Sequence, residues 1–436
     1  MKSNAILAIG AVGIGLSFAA GAVVSEFQLS PIYGFFSQAF SAAGALKVKT
    51  FEYNKKRSTD LWTKTRRTAA GVVLWNKDKA YKGYTFLVSG HAQEAYLLDM
   101  KGRTVHKWAM PFRKAWPSHP HIKRLVGEAY MAWRQAVLLP NGDVIVVFIG
   151  QGAAPWGYGL ARIDKDSNVL WTVDDYFHHD VTLGEDGNIY TLVHRVSKKD
   201  IPGLPEVRQP YFRDYAVVYS PDGKELYRID LLDALVKRFT QTGEEEKLYS
   251  FIHRRNGDFL HTNTAKYIPE SFADKVPGVE PGQILVSFRS LSMIAAVDPR
   301  TQSVGWTLLG PWKRQHDPDP LPNGNLLVFD NVGRRLVGGK SAIMEYNPVT
   351  GDVEWLYAGA EQDFDSNIRG VQQKLPNGNV LVTETQGGRV LEITRDKELV
   401  WEWDSPFKSA PDMEYTAVVM GATRFAEEEL PFLEGL

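Results

Sequence analysis

One pattern is written repeatedly along this chain, and it limits the fold more than any other feature. A polar stretch leads into a tight turn at Asn-Gly or Asp-Gly, and an apolar run follows. It occurs as RQHDPDPLPNGNLLVFD at 314–330, LLPNGDVIVVF at 138–148, TLGEDGNIYTL at 182–192 and KLPNGNVLVTE at 374–384. Asn-Gly between two strand-like runs predicts a β-hairpin, because a type I′ turn needs positive φ at both central residues. A second unit alternates with the first: an apolar strand, an acidic or Asn turn, and a strand ending in an aromatic. Its copies are YLLDMKGRTVHKW (96–108), ARIDKDSNVLW (161–171), VVYSPDGKELY (217–227), AAVDPRTQSVGW (295–306), MEYNPVTGDVEW (344–355) and LEITRDKELVW (391–401). Two hairpins per repeat make four strands, and six such repeats predict an all-β, six-bladed β-propeller. An open solenoid is the rival architecture. The propeller is preferred because the polar residues gather at one repeat position, as a central channel requires.

That position lies seven residues before the turn Asn or Asp, and holds Arg134, His179, His316 and Gly370. If this strand is innermost, Arg134, His179 and His316 converge on the axis. The fourth repeat lacks the PNG turn, and its equivalent strand is HTNTAKYIP (261–269). Alternation puts His261 and Asn263 on one strand face, and the partner strand ends in Arg289. Asp180 and Asp317 each follow a channel histidine directly. Alternation turns them to the other face, as hydrogen-bond partners between blades. A glycosidase, which needs two carboxylates facing the substrate, is thereby disfavoured. His91, His106, His178, His194 and His253 are expected to be ordinary core residues.

Composition narrows the function classes. The net charge is −1 and no block of Lys and Arg stands out, so nucleic acid is a poor partner. With no cysteine, disulfides and thiolate metal sites are excluded. Residues 5–24, AILAIGAVGIGLSFAAGAVV, carry no charge and follow only Lys2. They are long enough to span a bilayer. A cleaved signal peptide is the alternative, with Ala20-Gly21-Ala22 as the small-residue site. Either way the body of the protein crosses the membrane, into the periplasm or cell exterior. The expected organisation is an anchor or signal at 1–24, a linker at 25–67, and the propeller at 68–436. Residues 109–132 and 197–214 are long insertions, read as channel walls or lids, although the first could be solvated decoration. LLDALVKRF (231–239) predicts a short amphipathic helix between blades three and four.

Three histidines could bind zinc with an open position, but two neighbouring arginines would repel a dication. They favour an anion such as sulfate or phosphate instead, since guanidinium offers a planar donor fork to tetrahedral oxyanions. A neutral imidazole is a competent nucleophile near neutral pH. No metal is expected in the channel, and no cofactor.

These residues resemble the bacterial arylsulfotransferases that work without a nucleotide donor. The resemblance is carried by DKAYKGYTFLVS (78–89), AYLLDMKGRTVHKW, HHDVTLGEDGNIYTL, LHTN (260–263), SFRS and QHDPDPLPNGNLLVFDN, and spans roughly residues 68–425. HHD, LHTN, SFR and QHD in this order are its specific part. The resemblance implies sulfuryl transfer from an aryl sulfate donor to a phenolic acceptor, by a ping-pong route through a sulfated histidine. It implies His316 as nucleophile, His261 and Arg289 holding the sulfuryl oxygens with Asn263 nearby, and His179 as acid–base partner. Arg134 is added from the repeat position as a further substrate-binding candidate. A non-catalytic propeller, serving as a subunit or docking platform of a membrane complex, is the alternative, and a sulfate-ester hydrolase is a third reading.

Overall fold

A computed structural model describes residues 60–435, apart from 203, 205, 206, 208, 253–256, 334–339, 359–362 and 410. The expected membrane segment, the linker up to residue 59 and His253 lie outside the described residues. Among those described, no helix is long and apolar enough to cross a membrane.

Six antiparallel sheets form the blades of a propeller. The inner strands are Val419–Phe425, Met131–Leu138, Phe177–Leu183, Thr262–Tyr267, His316–Pro320 and Val371–Lys374. Each packs against the inner strands of its two neighbours, and the ring closes between Val419–Phe425 and Met131–Leu138. The first blade therefore takes its innermost strand from the C-terminal end and the other three from 84–109. A second closure was not foreseen. Gly71–Trp75 pairs with Leu399–Asp404 and adds a fifth, outermost strand to the last blade. Trp62–Lys64 also pairs with Tyr415–Ala417, so the segment read as linker up to 67 is strand at its end. Its backbone satisfies an edge that would otherwise stay open.

The hairpins form where the Asn-Gly pattern put them, with a different turn. Gly142, Gly187, Gly324 and Gly378 have φ between 78 and 88°, whereas the Asn or Asp before each is absent from the positive-φ residues. Gly324 N donates to the Leu321 carbonyl (2.9 Å), and Asn325 N to the Asn323 side chain (3.1 Å). This is a type I turn closed by a left-handed glycine. Pro322 explains the difference: its ring fixes φ near −65°, which a type I′ turn forbids at that position.

Both long insertions pack against the blades. Phe112 and Trp116 are buried, Trp116 Nε1 donates to Asp174 (2.5 Å), and Tyr176 OH donates to the His121 carbonyl (2.6 Å). The 109–132 segment is a wall rather than loose decoration. The expected helix is Leu231–Gln241, capped by the Asp230 carboxylate, which accepts from Leu232 N and Asp233 N.

Carboxylates staple neighbouring blades, the role expected of Asp180 and Asp317. Asp180 accepts from Ala265 N (3.2 Å), Asp214 from Thr262 N (2.9 Å) and Asp317 from Gln372 N (3.0 Å). Lys266 Nζ joins them, 2.5 Å from Asp317 and paired also with Asp319. Lys266, Asp317 and Asp319 line a cavity of ≈ 990 Å³ that opens at the PNG-turn end of the channel. Lys266 faces three carboxylates, Asp180, Asp317 and Asp319, and Arg134 also acts on Asp180 and Asp317. Burial pushes Asp317 up to about 8, against the pull of Lys266 and helped by Asp319 and Asp180. A carboxyl raised in the fold binds its proton more tightly there than in the unfolded chain. Its stabilising effect is full below its ordinary pKa of 3.8 and is lost as pH rises toward 8. Lys266→Met removes the cation bonded to Asp317 and Asp319, and breaking a buried pair this way costs about 3–5 kcal/mol. Thermal melts should show a lower Tm for this variant, with a deficit that widens from pH 5 to pH 8. An equal deficit at both values would contradict this account of the cluster.

Candidate active site

The channel end opposite the PNG turns is shaped by bulges. Pairing shifts between Trp133 and Gln135, His178 and Val181, Thr262 and Thr264, His316 and Asp319, and Val419 and Gly421. His179, His261 and Asp317 take left-handed φ values of 57, 48 and 51°. Such backbone strains non-glycine residues by about 1–3 kcal/mol each, and a bulge re-aims the side chain beside it. In the last blade Gly370 holds this place with φ of 108°. The simple seven-residue rule slips by one in the third blade. Leu192 and Phe329 match when counted from their turns, yet they pair with His178 and His316 respectively. The third-blade bulge takes in both His179 and Asp180, so His178 occupies the ladder position that corresponds to His316.

The environment of His316 fixes its tautomer. Asn331, just past the strand Leu326–Asp330, donates from Nδ2 to the carbonyls of Ser366 (2.7 Å) and Arg369. Its Oδ1 is therefore an acceptor, and it lies 2.6 Å from His316 Nδ1. The Arg314 carbonyl, a second acceptor, lies 3.0 Å from the same nitrogen. Nδ1 must carry the proton, which leaves the lone pair on Nε2. Burial and then the Arg289 charge hold the His316 pKa well below the usual imidazole value. Arg134 and His261 add to this, and the Asn331 bond opposes it. The ring is neutral.

The other candidates surround it. Arg134 is buried and its guanidinium is pushed down to about 9, first by burial and then by Arg369, with Asp180 and Asp317 opposing. Arg289 begins the short turn after the strand Ile284–Phe288; burial and Arg314 lower its pKa, and Asp258 opposes. Neither guanidinium makes a side-chain hydrogen bond or ion pair among the described residues. Two charged donor forks beside a neutral imidazole form a receptacle for an oxyanion.

His179 and His261 rings are 4.9 Å apart, but their partners differ. His179 Nδ1 lies 2.7 Å from His178 Nδ1. Burial, then His261, His178, Arg134 and His316, hold its pKa far down, so it too is neutral. His261 Nδ1 is instead 2.5 Å from the Asp258 carboxylate. Burial works to raise the Asp258 pKa, yet the bond and charge of His261, with His178 and Arg289, hold it below the ordinary range. Asn263 Nδ2 donates to the Gln315 carbonyl (2.7 Å), tying the strand of His261 to the residue before His316.

Asp258 and Asn331 carried no expectation from the sequence, and His178 carried none at the site. Asp258 lies three residues before His261 and Asn331 ends the QHD motif, so proximity to the motifs was the only signal. His178 was read as core, and it is fully buried, yet it touches His179.

No curated protein matches the chain significantly. Among solved structures, a protein of unknown function from Bacteroides caccae has a TM-score of 0.47 at 10% identity, covering 78% of this chain and 99% of its own. Virginiamycin B lyase from Staphylococcus aureus has a TM-score of 0.40 at 12% identity, covering 78% and 90%. The WD40 propeller domain of Doa1 has a TM-score of 0.41 at 12% identity, covering 78% and 88%. None of these bears on the chemistry. The arylsulfotransferase (ASST) family model matches residues 135–406, which takes in every candidate side chain above except Arg134 and covers more than half of the sequence; the chain belongs to the arylsulfotransferase family.

Proposed function

We propose that this propeller transfers a sulfuryl group from an aryl sulfate ester to a phenol, through a sulfated His316. The observation that carries the reading is the Asn331–His316 bond, which leaves a neutral imidazole with its lone pair on Nε2 beside Arg289 and Arg134. In the first half-reaction Nε2 attacks sulfur, the N–S bond forms, and the S–O bond breaks with its electrons leaving on the phenolate. In the second, the acceptor phenol passes its proton to His261, which had protonated the leaving phenolate, and attacks sulfur, and the N–S electrons return to His316. Sulfuryl transfer, like phosphoryl transfer, has a loose transition state, so positioning and oxyanion electrostatics are the main catalytic means. Arg289 and Arg134 supply the charge, and Asn263 positions the nucleophile's strand.

The geometry favours exchanging the roles that the family resemblance implied for His179 and His261. The proton donor to the leaving phenolate is better placed on His261, because of these two histidines it alone is bonded to a carboxylate among the described residues. With His178 Nδ1 as donor to His179 Nδ1, neutral His179 carries its proton on Nε2 and serves as a hydrogen-bond donor to a sulfuryl oxygen. The decisive experiment incubates the protein with 4-nitrophenyl sulfate and looks by mass spectrometry for a sulfate adduct on the His316 peptide. An adduct on another residue, or none while nitrophenol is released, would overturn the route.

The same reading keeps residues 5–24 as a membrane anchor, on their uncharged length, with the propeller in the periplasm or outside the cell. Alkaline extraction of membranes tests it, and release of the full-length chain would count against an anchor.

A further inference from the structure

Behind the channel wall lies a second group of polar side chains that the transfer reaction does not use. His178, His194 and Asp214 are all buried, with relative exposures of 1, 0 and 2%. One ligand atom from each lies within 4.8 Å of the other two. His178 Nε2 and both ring nitrogens of His194 have no hydrogen-bond partner. Leaving a buried donor or acceptor unsatisfied costs about 1–3 kcal/mol for each group. Three such nitrogens beside one carboxylate is an arrangement that calls for a ligand.

We propose that His178, His194 and Asp214 form a structural metal site for a divalent d-block cation, with zinc the best fit to two imidazoles and a carboxylate. His178 binds through Nε2, which is 3.9 Å from Asp214 Oδ1. On one zinc ion, ligand atoms at about 2.0–2.2 Å sit roughly 3.4 Å apart. Binding therefore draws the three side chains inward. The His194 ring has limited freedom for this, stacked between His178 (4.5 Å) and Phe212 (4.7 Å) with Trp156 edge-on at 4.1 Å. Asp214 keeps its second oxygen on Thr262 N (2.9 Å), so the ligand carboxylate is oriented from the next blade.

The site has a consequence for its neighbour. A metal on His178 Nε2 forces the proton onto Nδ1, and a ligating histidine normally donates that other N–H to an acceptor. The acceptor here is His179 Nδ1, at 2.7 Å. His179 must then carry its own proton on Nε2. The metal would thus set the tautomer of His179 as Asn331 sets that of His316. The site itself rests on the three ligands and not on the reaction assigned to the channel.

The test is elemental analysis of the full chain purified without a metal-affinity tag. Zinc or another d-block metal is expected at about one per chain. His194→Phe, which keeps a ring stacked on Phe212, and Asp214→Asn should each lower bound metal by about tenfold or more. A chelator should lower the wild-type Tm, and zinc should restore it. Metal below a tenth of an equivalent, with no Tm rise on adding zinc, cobalt or nickel, would overturn the site in favour of buried water. Metal retained in full by both variants would mean an adventitious ion only, and would overturn it equally. Circular dichroism separates loss of metal from loss of fold, since a folded variant that has lost its metal supports the site.

Discussion

His316→Asn should remove both the covalent adduct and turnover, for every donor tried. The side chain keeps its approximate volume and can still bond its neighbours, but it has no nucleophilic nitrogen to aim at sulfur. Arg289→Ala separates charge from nucleophile. It leaves His316 able to react, and losing one preorganised oxyanion donor typically costs about 2.7–4 kcal/mol, a hundred- to a thousandfold in rate. Single-turnover release of nitrophenol with mass analysis of the His316 peptide reads both outcomes. The pH dependence gives a further check. Because burial and Arg289 hold the His316 pKa well below 6.5, adduct formation should not fall between pH 7.5 and 6. A rate that drops about fourfold across that range, as the neutral fraction of an imidazole with a pKa of about 6.5 does, would mean that His316 titrates normally. A His316→Asn protein that still forms an adduct would remove His316 from the mechanism.

The repeat pattern made the propeller legible because hairpins are local. Each PNG turn and its flanking apolar run is specified within about a dozen residues, which is the range at which sequence signals work. The seven-residue position likewise located Arg134, His179 and His316 on inner strands. What could not be read were features set by distant backbone. Gly71–Trp75 joins Leu399–Asp404 and Trp62–Lys64 joins Tyr415–Ala417, and neither short strand carries a mark of its partner. The bulges were also hidden. They move His179 off the ladder and let His178 take the position matching His316, which a strict two-residue alternation cannot anticipate. The site partners Asn331 and Asp258 escaped for a related reason. Each gains its meaning from one contact, Asn331 with His316 and Asp258 with His261, and neither belongs to the repeat that made the channel visible.

Asp258→Asn should split the donors by leaving group. With 4-nitrophenyl sulfate the departing phenolate is stable without a proton, so adduct formation should stay within about threefold of wild type. With an unactivated phenyl sulfate the oxygen needs a proton as the S–O bond breaks, and general acid catalysis of this kind contributes about 10²- to 10⁴-fold. Asp258 does not touch the reacting atoms in this account. It orients His261 and holds its proton through the 2.5 Å bond, so it acts as a positioning residue. A merely structural role would weaken both donors alike. His261→Ala should reproduce the split, with some loss on the nitrophenyl ester as well, because its ring also lines the receptacle. His179→Ala should instead slow both donors by a similar factor, since a neutral ring buried against His178 donates a hydrogen bond rather than a proton. If His179→Ala gives the split and Asp258→Asn does not, the acid is His179 and the exchange of roles proposed here is wrong. The slope of log rate against leaving-group pKa decides between them. It should steepen in the variant that has lost the acid and stay parallel to wild type in the one that has lost only an oxyanion donor.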